Sequence, residues 1–299
     1  MKPFYIADIT TKDGLLHQGI FSAPEKHGKK AILWMHGLSA AFYNDIHLYE
    51  AVANASEKEG WGFALFNNRG HDLIAGVRKY DGTPPNGYSY LQVGAGREVF
   101  EDCVLDVDAG VDFLVKKGFT EVVVVGHSTG ANKACYYAGT QKNPHVIGVV
   151  LLGPISDRLE LSISAKKHQK DLLYMHKLIK EGVGDELLFG YHFFPITPNR
   201  YISLFEPGSA EDVFDYGDQK PKMTYFSKIK LPLFVVLAGN DEGADRPIEE
   251  IKRVFDAHAT SKQYKSVIIP GAVHKFHEKE KEVANVIVKW ATSVKGEIK

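Results

Sequence analysis

The chain of 299 residues carries 36 basic and 37 acidic residues, a formal net charge of −1, and 44% of its residues are apolar. This near-neutral balance provides no field that would attract nucleic acid, and no run of about 18 apolar residues is long enough to predict a membrane span. The N-terminus lacks a signal-peptide pattern, and Cys103 and Cys135 are expected to be free buried thiols. We therefore expect a cytoplasmic protein without a nucleic-acid partner.

The first two segments, residues 4–14 and 15–24, predict an antiparallel hairpin that turns at Asp13-Gly14. Amphipathic helices are predicted between later segments, and in the helix at 99–117 the aspartates lie opposite the apolar face. Apolar segments that predict six further strands are 30–37, 62–70, 121–128, 146–154, 231–241 and 264–271. The alternation predicts the α/β class, with a mostly parallel, eight-stranded, doubly wound sheet.

The interval from residue 155 to residue 230 contains no strong strand signal and is too long for a structureless loop. We interpret residues 155–230 as a helical cap inserted into a core formed by residues 1–154 and 231–299. The aromatic residues of the insertion predict either a substrate-binding surface or the packed interior of the cap. The candidates for substrate contacts are Tyr191, Phe193, Phe194 and Tyr201.

The segment Gly126-His127-Ser128-Thr129-Gly130 matches the pattern G-x-S-x-G and follows four consecutive valines. A sharp strand-to-helix turn of this kind holds its serine in a strained backbone conformation, and the flanking glycines let the strand and the helix approach each other. The N-terminus of the following helix adds free N–H groups and a positive dipole for a developing oxyanion. We therefore predict that Ser128 is a nucleophile.

A nucleophilic serine needs a base that accepts its proton and an acidic group that orients this base. In a sheet of this kind both are expected on loops after later strands, in the order serine, acid, histidine. Asp241 is the first acidic residue at the end of the seventh predicted strand, with Glu242 and Asp245 as alternatives. His274 lies in the loop after the eighth, and the alternative His277 falls where the last helix should begin.

A second oxyanion donor is expected from the loop after the third strand. The pair His36-Gly37 lets the backbone turn toward the nucleophile there, and the N–H of Leu38 would act together with that of Thr129. His36 and His127 lie in or beside strands, so we interpret them as packing and hydrogen-bonding residues and not as bases.

Sequence signatures of metal and nucleotide sites are missing. The chain contains no His-x-Glu, HExxH or CxxC spacing and no G-x-x-x-x-G-K-[ST] motif. The glycine-rich segment at 93–100 follows a stretch that we interpret as a polar loop and not as a strand, so it does not indicate a dinucleotide site. We expect neither a metal nor a cofactor.

Together these motifs resemble those of the α/β-hydrolase superfamily over nearly the whole chain. The matching segments are GHSTG at 126–130, HG at 36–37, NNRGHD at 67–72, GNDE at 239–242 and G-x-x-H at 271–274. Within the superfamily, the GHSTG form and the segment 196–218 are similar to fungal siderophore (fusarinine-type) esterases. The resemblance implies the α/β-hydrolase fold, serine-esterase activity with Ser128, Asp241 and His274 as the triad, and no cofactor.

The sequence thus predicts a hydrolase that cleaves a small-molecule carboxylic ester through an acyl-enzyme. The same triad could instead serve an acyltransferase, a thioesterase or a peptidase, and a non-catalytic binding protein of this fold is a further alternative. A serine at position 128 argues against dehalogenase and epoxide-hydrolase chemistry, which need an acidic nucleophile. The sequence does not indicate an oligomeric state.

Overall fold

The computed structural model describes residues 3–160 and 165–294. Residues 1–2 and 295–299 of the predicted core and residues 161–164 of the predicted cap lie outside the described residues. The strands of this part of the chain are β1 Tyr5–Thr10, β2 Leu16–Ser22, β3 Lys30–Met35, β4 Gly62–Phe66, β5 Ala75–Tyr80, β6 Tyr88–Val93, β7 Glu121–His127, β8 Val146–Leu152, β9 Leu233–Ala238 and β10 Tyr264–Ile269. Its helices are α1 Ile46–Lys58, α2 Cys103–Lys116, α3 Thr129–Thr140, α4 Asp157–Glu160, α5 Ala165–Lys180, α6 Pro198–Phe205, α7 Ile248–His258 and α8 Glu280–Ser293. None of the helices described is long and apolar enough to cross a membrane.

Eight of the strands form one sheet in the order β1-β2-β4-β3-β7-β8-β9-β10. The hairpin of β1 and β2 is antiparallel and joins β4 in antiparallel fashion, whereas all pairs from β4 to β10 are parallel. The predicted mostly parallel sheet with an antiparallel N-terminal edge is therefore confirmed.

Helices cover both faces of this sheet, and the four valines of β7 illustrate why. Val122 and Val124 point into the apolar cluster that includes residues of α2, α3 and α7, while Val123 and Val125 point into the cluster that includes residues of α1 and α8. A strand buried on both faces needs a continuous apolar run and not an alternating one. Cys103 and Cys135 are buried free thiols, as expected, and burial raises the pKa of both.

A second, two-stranded antiparallel sheet is formed by β5 and β6. The interpretation of the residues before segment 93–100 as a polar loop is therefore wrong. Most side chains of the two strands are partly or fully exposed. Only Val77 and Val93 of these strands are buried, where they cluster with Leu15, and the partly buried Ala75 packs against this cluster. Because so few positions are apolar and buried, the hairpin leaves no alternating pattern in the sequence.

The prediction that the aspartates of α2 lie opposite its apolar face, on the solvent side, is wrong for Asp106. The side chain of Asp106 is buried (3% exposed) and accepts hydrogen bonds from the backbone N–H of Arg69 at 3.0 Å and from its Nη2 at 2.9 Å. Burial alone would raise the pKa of Asp106, but the neighbouring His17 and Arg69 hold it well below its usual range. The NNRGHD segment thus contributes an arginine that anchors α2.

The predicted cap contains α4, α5, α6 and connecting segments. Its own apolar cluster is built around Met175, Phe194, Ile196, Tyr201 and Leu204. Residues between 213 and 229, by contrast, pack into the same cluster as α2, α3 and α7. The division of the chain into a core and a cap at 155–230 stays a prediction.

Candidate active site

The predicted elbow occurs where β7 ends and α3 begins. Ser128 has φ 57° and ψ −129°, a backbone conformation that is costly for a residue with a side chain. A Cβ atom at Gly126 would lie 2.1 Å from the carbonyl oxygen of Gly130, and one at Gly130 would lie 2.2 Å from that of Met35. The two glycines are therefore needed for the turn, and the strained serine predicted from the sequence is confirmed.

The side chains of Ser128, His274 and Asp241 form one continuous hydrogen-bonded chain. Nε2 of His274 lies 2.9 Å from Oγ of Ser128, and its Nδ1 lies 2.9 Å from Oδ2 of Asp241. A carboxylate only accepts hydrogen bonds, so Nδ1 carries the proton and Nε2 is left to accept the serine hydroxyl. Asp241 follows β9 and His274 follows β10, at the carboxyl edge of the sheet where β7 presents Ser128.

The electrostatic surroundings favour a protonated His274. Burial by itself would lower the pKa of this imidazole, but the hydrogen bond and charge of Asp241, and the charges of Glu242 and Asp157, raise it above the ordinary value of 6.5. An imidazole held in this way becomes a stronger base and pairs well with a carboxylate once it is protonated.

The alternative acids and base make other contacts. Nδ1 of His277 lies 3.8 Å from Glu280 on the exposed side of the loop. Asp245 is paired with Arg246 at 2.6 Å. Glu242 does contact the base, but it accepts a hydrogen bond from the backbone N–H of His274 and not from the ring.

The loop after β3 lies directly against Ser128, the predicted nucleophile. A Cβ atom at Gly37 would be 2.8 Å from Cβ and 3.3 Å from Oγ of Ser128, so only glycine permits this approach. The next residue is Leu38, and Thr129 occupies the first position of α3, where a backbone N–H has no acceptor within the helix. The two predicted oxyanion donors thus come from the two backbone segments that flank Ser128.

His36 holds the peptide unit that carries one of these donors. The N–H of Asn68 donates to Nε2 of His36 at 3.1 Å, so Nδ1 bears the ring proton and donates to the carbonyl of Gly37 at 3.0 Å. Burial and the charge of Lys133 lower the pKa of His36 to about 3, which keeps the ring neutral. Because C=O and N–H point in opposite directions in a trans peptide, fixing the Gly37 carbonyl also fixes the direction of the Leu38 N–H.

The four aromatic candidates for substrate contacts occupy different environments. Phe194 and Tyr201 are each 2% exposed and belong to the apolar cluster of the cap, against which Leu38 also packs. Phe193 is 73% exposed, and the ring of Tyr191 stacks on that of Tyr174 at a centroid distance of 5.9 Å. Phe194 and Tyr201 therefore serve the packed interior of the cap, and a role of any of the four in substrate binding stays a prediction.

A buried network of charges beside the site was not predicted. Lys133 of α3 contacts Glu98 and donates to Asn68 at 2.9 Å, and Glu98 also contacts Arg200 of α6 at 3.2 Å. Arg200 in turn is paired with Glu211. The only hint in the sequence is a lysine among the small and apolar residues of α3, because the four charges are far apart along the chain.

Several solved structures with similar backbones are esterases or hydrolases by name. The siderophore hydrolase EstB from Aspergillus fumigatus superimposes with a TM-score of 0.67 at 14% identity, covering 97% of this chain and 98% of that chain. Est1E from Butyrivibrio proteoclasticus with ferulic acid bound gives 0.64 at 15% identity and 96% and 98% coverage. The esterase Pf2001 of Pyrococcus furiosus gives 0.60 at 17% identity and 98% and 91% coverage.

These similarities, together with the sheet order and the elbow, define an α/β-hydrolase fold and agree with the resemblance found in the sequence. Within this class the chain belongs to the family described as protein of unknown function (DUF1749), whose model matches residues 88–294. A search of the curated proteins gave no significant match.

Proposed function

We propose that this protein is a serine hydrolase that cleaves small-molecule carboxylic esters. The observation that carries the proposal is the hydrogen-bonded chain from Ser128 through His274 to Asp241, with both distances at 2.9 Å and the serine at a strained elbow. Nucleophile, base and orienting acid are the three groups that acyl transfer to and from a serine requires.

In the acylation step, Oγ of Ser128 attacks the ester carbonyl while its proton passes to Nε2 of His274. Asp241 keeps the imidazole in the required tautomer and stabilises the imidazolium that forms. The N–H groups of Leu38 and Thr129 donate to the oxyanion of the tetrahedral intermediate. When the intermediate collapses, His274 gives the proton to the leaving alcohol and Ser128 remains acylated.

In the deacylation step, a water molecule takes the place of the alcohol. His274 accepts a proton from this water, which attacks the acyl carbonyl, and the same two N–H groups hold the second oxyanion. Collapse of this intermediate breaks the bond to Oγ, and the proton on His274 returns to Ser128. The products are a carboxylic acid and the free enzyme.

The known neighbours support an ester as the substrate. One is a siderophore hydrolase and another was solved with ferulic acid bound, and both share this fold over nearly the whole chain. The aromatic residues of the predicted cap at 155–230 are consistent with an apolar or aromatic portion of the substrate beneath it. The carboxylic ester class is therefore favoured over thioesters, amides and acyl transfer.

The test is hydrolysis of p-nitrophenyl esters of increasing acyl length, and of aryl esters, by the wild type and by Ser128→Ala. A fluorophosphonate probe, which labels activated serines, is applied to both proteins. We expect turnover and labelling in the wild type and loss of both in the variant, with an unchanged circular dichroism spectrum. Equal turnover in the two proteins would exclude the mechanism, and a thioester, a peptide and an acceptor alcohol in the same assay separate the other acyl-transfer activities.

A further inference from the structure

The backbone of His274 is held at both of its polar groups. Its N–H donates to Oε2 of Glu242 at 2.8 Å, and its carbonyl accepts a hydrogen bond from Nε2 of His127 at 2.9 Å. His127 directly precedes Ser128, and Glu242 directly follows Asp241. The residue before Ser128 and the residue after Asp241 therefore each form a hydrogen bond with the main chain of His274.

The surroundings of His127 determine the protonation and tautomer of its ring. Its ring is buried and lies near Trp34 and Phe276, with centroid distances of 6.2 and 5.9 Å. Burial, together with the charge of His274, lowers the pKa of His127 to about 4, so the ring is neutral at ordinary pH. Its proton must lie on Nε2, because the carbonyl of His274 can only accept.

The segment that carries His274 needs such support. Residues 270–279, all of them described, contain neither helix nor strand, and Gly271, Phe276 and Glu278 have positive φ angles. No regular element therefore fixes the position of the imidazole relative to Ser128. A displacement of about 1 Å in a catalytic group can cost about 100-fold in rate.

We propose that His127 and Glu242 are positioning residues that clamp the backbone of His274 so that its ring spans Ser128 and Asp241. This proposal rests on the proposed function, because the position of the ring matters for catalysis only if His274 acts as the base. Glu242 contributes in two separable ways, since its carboxylate is both the acceptor for the His274 N–H and a negative charge near the ring.

The ring of His274 faces several ionisable groups from different elements. Asp241 and Glu242 come from the loop after β9, Asp157 comes from α4, and His127 comes from the end of β7. The three carboxylates raise the pKa of His274, and His127 is neutral. Glu242→Gln keeps an acceptor while it removes one charge, whereas Glu242→Ala removes both.

The test compares kcat, KM and the pH dependence of kcat/KM for the wild type and five variants. Glu242→Gln should retain kcat within about threefold and move the acid limb of the profile to lower pH. Glu242→Ala and His127→Ala should lower kcat by about 10- to 100-fold with little change in KM, as expected for a displaced base. His127→Gln, whose amide can donate from nearly the position of Nε2, should recover most of that loss. Glu249→Gln, at an exposed carboxylate on α7, is the charge-matched control and should resemble the wild type.

Unchanged kcat in both alanine variants, or a loss of kcat in Glu242→Gln as large as in Glu242→Ala, would overturn the clamp. Failure of the proposed function has a different signature, because the wild type would then neither hydrolyse esters nor label with the fluorophosphonate. In that event the NMR resonance of the His274 Nδ1 proton, which reports the hydrogen bond to Asp241, still tests the clamp. It should persist in Glu242→Gln and shift or disappear in Glu242→Ala and His127→Ala, and an unchanged resonance in both alanine variants contradicts the proposal.

Discussion

Nζ of Lys133 lies 2.5 Å from Oε1 of Glu98, and both side chains are only 1% exposed. Arg200 and Glu211 complete the group, so two buried cations face two buried carboxylates. The four side chains connect the helix that follows the nucleophile to helix α6 and to the segment after it. A buried charge that loses its partner retains the cost of leaving water, so these residues depend on one another.

We expect Lys133→Met to lower the free energy of unfolding by about 3–5 kcal/mol, because one of the two carboxylates is then buried without compensation. Urea denaturation measures the change, and Lys142→Met, at an exposed lysine, is the control. The double variant Lys133→Met/Glu98→Gln leaves Arg200 and Glu211 as a balanced pair and should recover part of the loss. A loss below 1 kcal/mol in the single variant would contradict the buried network.

Gly37→Ala tests the contact between the loop after β3, which carries the predicted oxyanion donor Leu38, and Ser128. The added methyl group would lie 2.8 Å from Cβ of Ser128, so either the loop or the serine must move. Since the N–H of Leu38 moves with the loop, we expect kcat to fall by about 100-fold, the usual effect of losing one oxyanion donor. In Gly76→Ala the new methyl group meets open space, so this control should keep full activity. Equal kcat values in the two variants would show that the loop has no part in catalysis.

Much of the fold could be predicted because its signals are local. The strands of the parallel part of the sheet are short, mainly apolar runs, and the central residues of β7 and β8 are apolar on both faces because helices cover both faces of the sheet. The residues of the hydrogen-bonded chain could be predicted because parallel strands bring their carboxyl ends to one edge. Asp241 and His274 are therefore close to Ser128 although more than 100 residues separate them from it.

The remainder depends on contacts that no local pattern encodes. The β5–β6 hairpin is largely exposed, so it lacks the alternation that marks a half-buried strand. Asp106 has the spacing of a solvent-facing residue of α2 but is buried against Arg69 and His17, which come from distant parts of the chain. The contacts of His127 and Glu242 with the main chain of His274 depend on backbone positions to within 1 Å, which residue types alone do not determine.

Asp241→Asn distinguishes the two adjacent carboxylates. An asparagine amide can donate to Nδ1 of His274 and thereby favour the tautomer with its proton on Nε2, which cannot accept from Ser128. Loss of the correct tautomer costs about 10⁴-fold in kcat in a serine triad, and we expect a fall of about 10³- to 10⁴-fold here. Glu242→Gln should retain kcat within about threefold. The kcat values of the two variants therefore show which carboxylate orients His274. A larger effect at Glu242 would assign the acid to that residue.

The raised pKa of His274 predicts where activity is lost in acid. The base must be neutral to accept the proton of Ser128, so kcat/KM falls as His274 becomes protonated, and its acid limb should have a midpoint above the ordinary pKa of 6.5. The same shift affects stability. A histidine whose pKa is higher in the folded state adds stability that is fully present below its unfolded pKa and is lost as the pH rises through the folded value.

Two measurements check these statements. The pH profile of kcat/KM gives the midpoint, and urea unfolding of the wild type and of His274→Gln gives the stability difference at pH 5.5 and at pH 8.5. The wild type should exceed the variant by more at pH 5.5, where His274 is protonated and paired with Asp241. A midpoint below 6.5 together with a stability difference that does not vary with pH would mean that burial, which lowers the pKa of His274, outweighs the surrounding carboxylates.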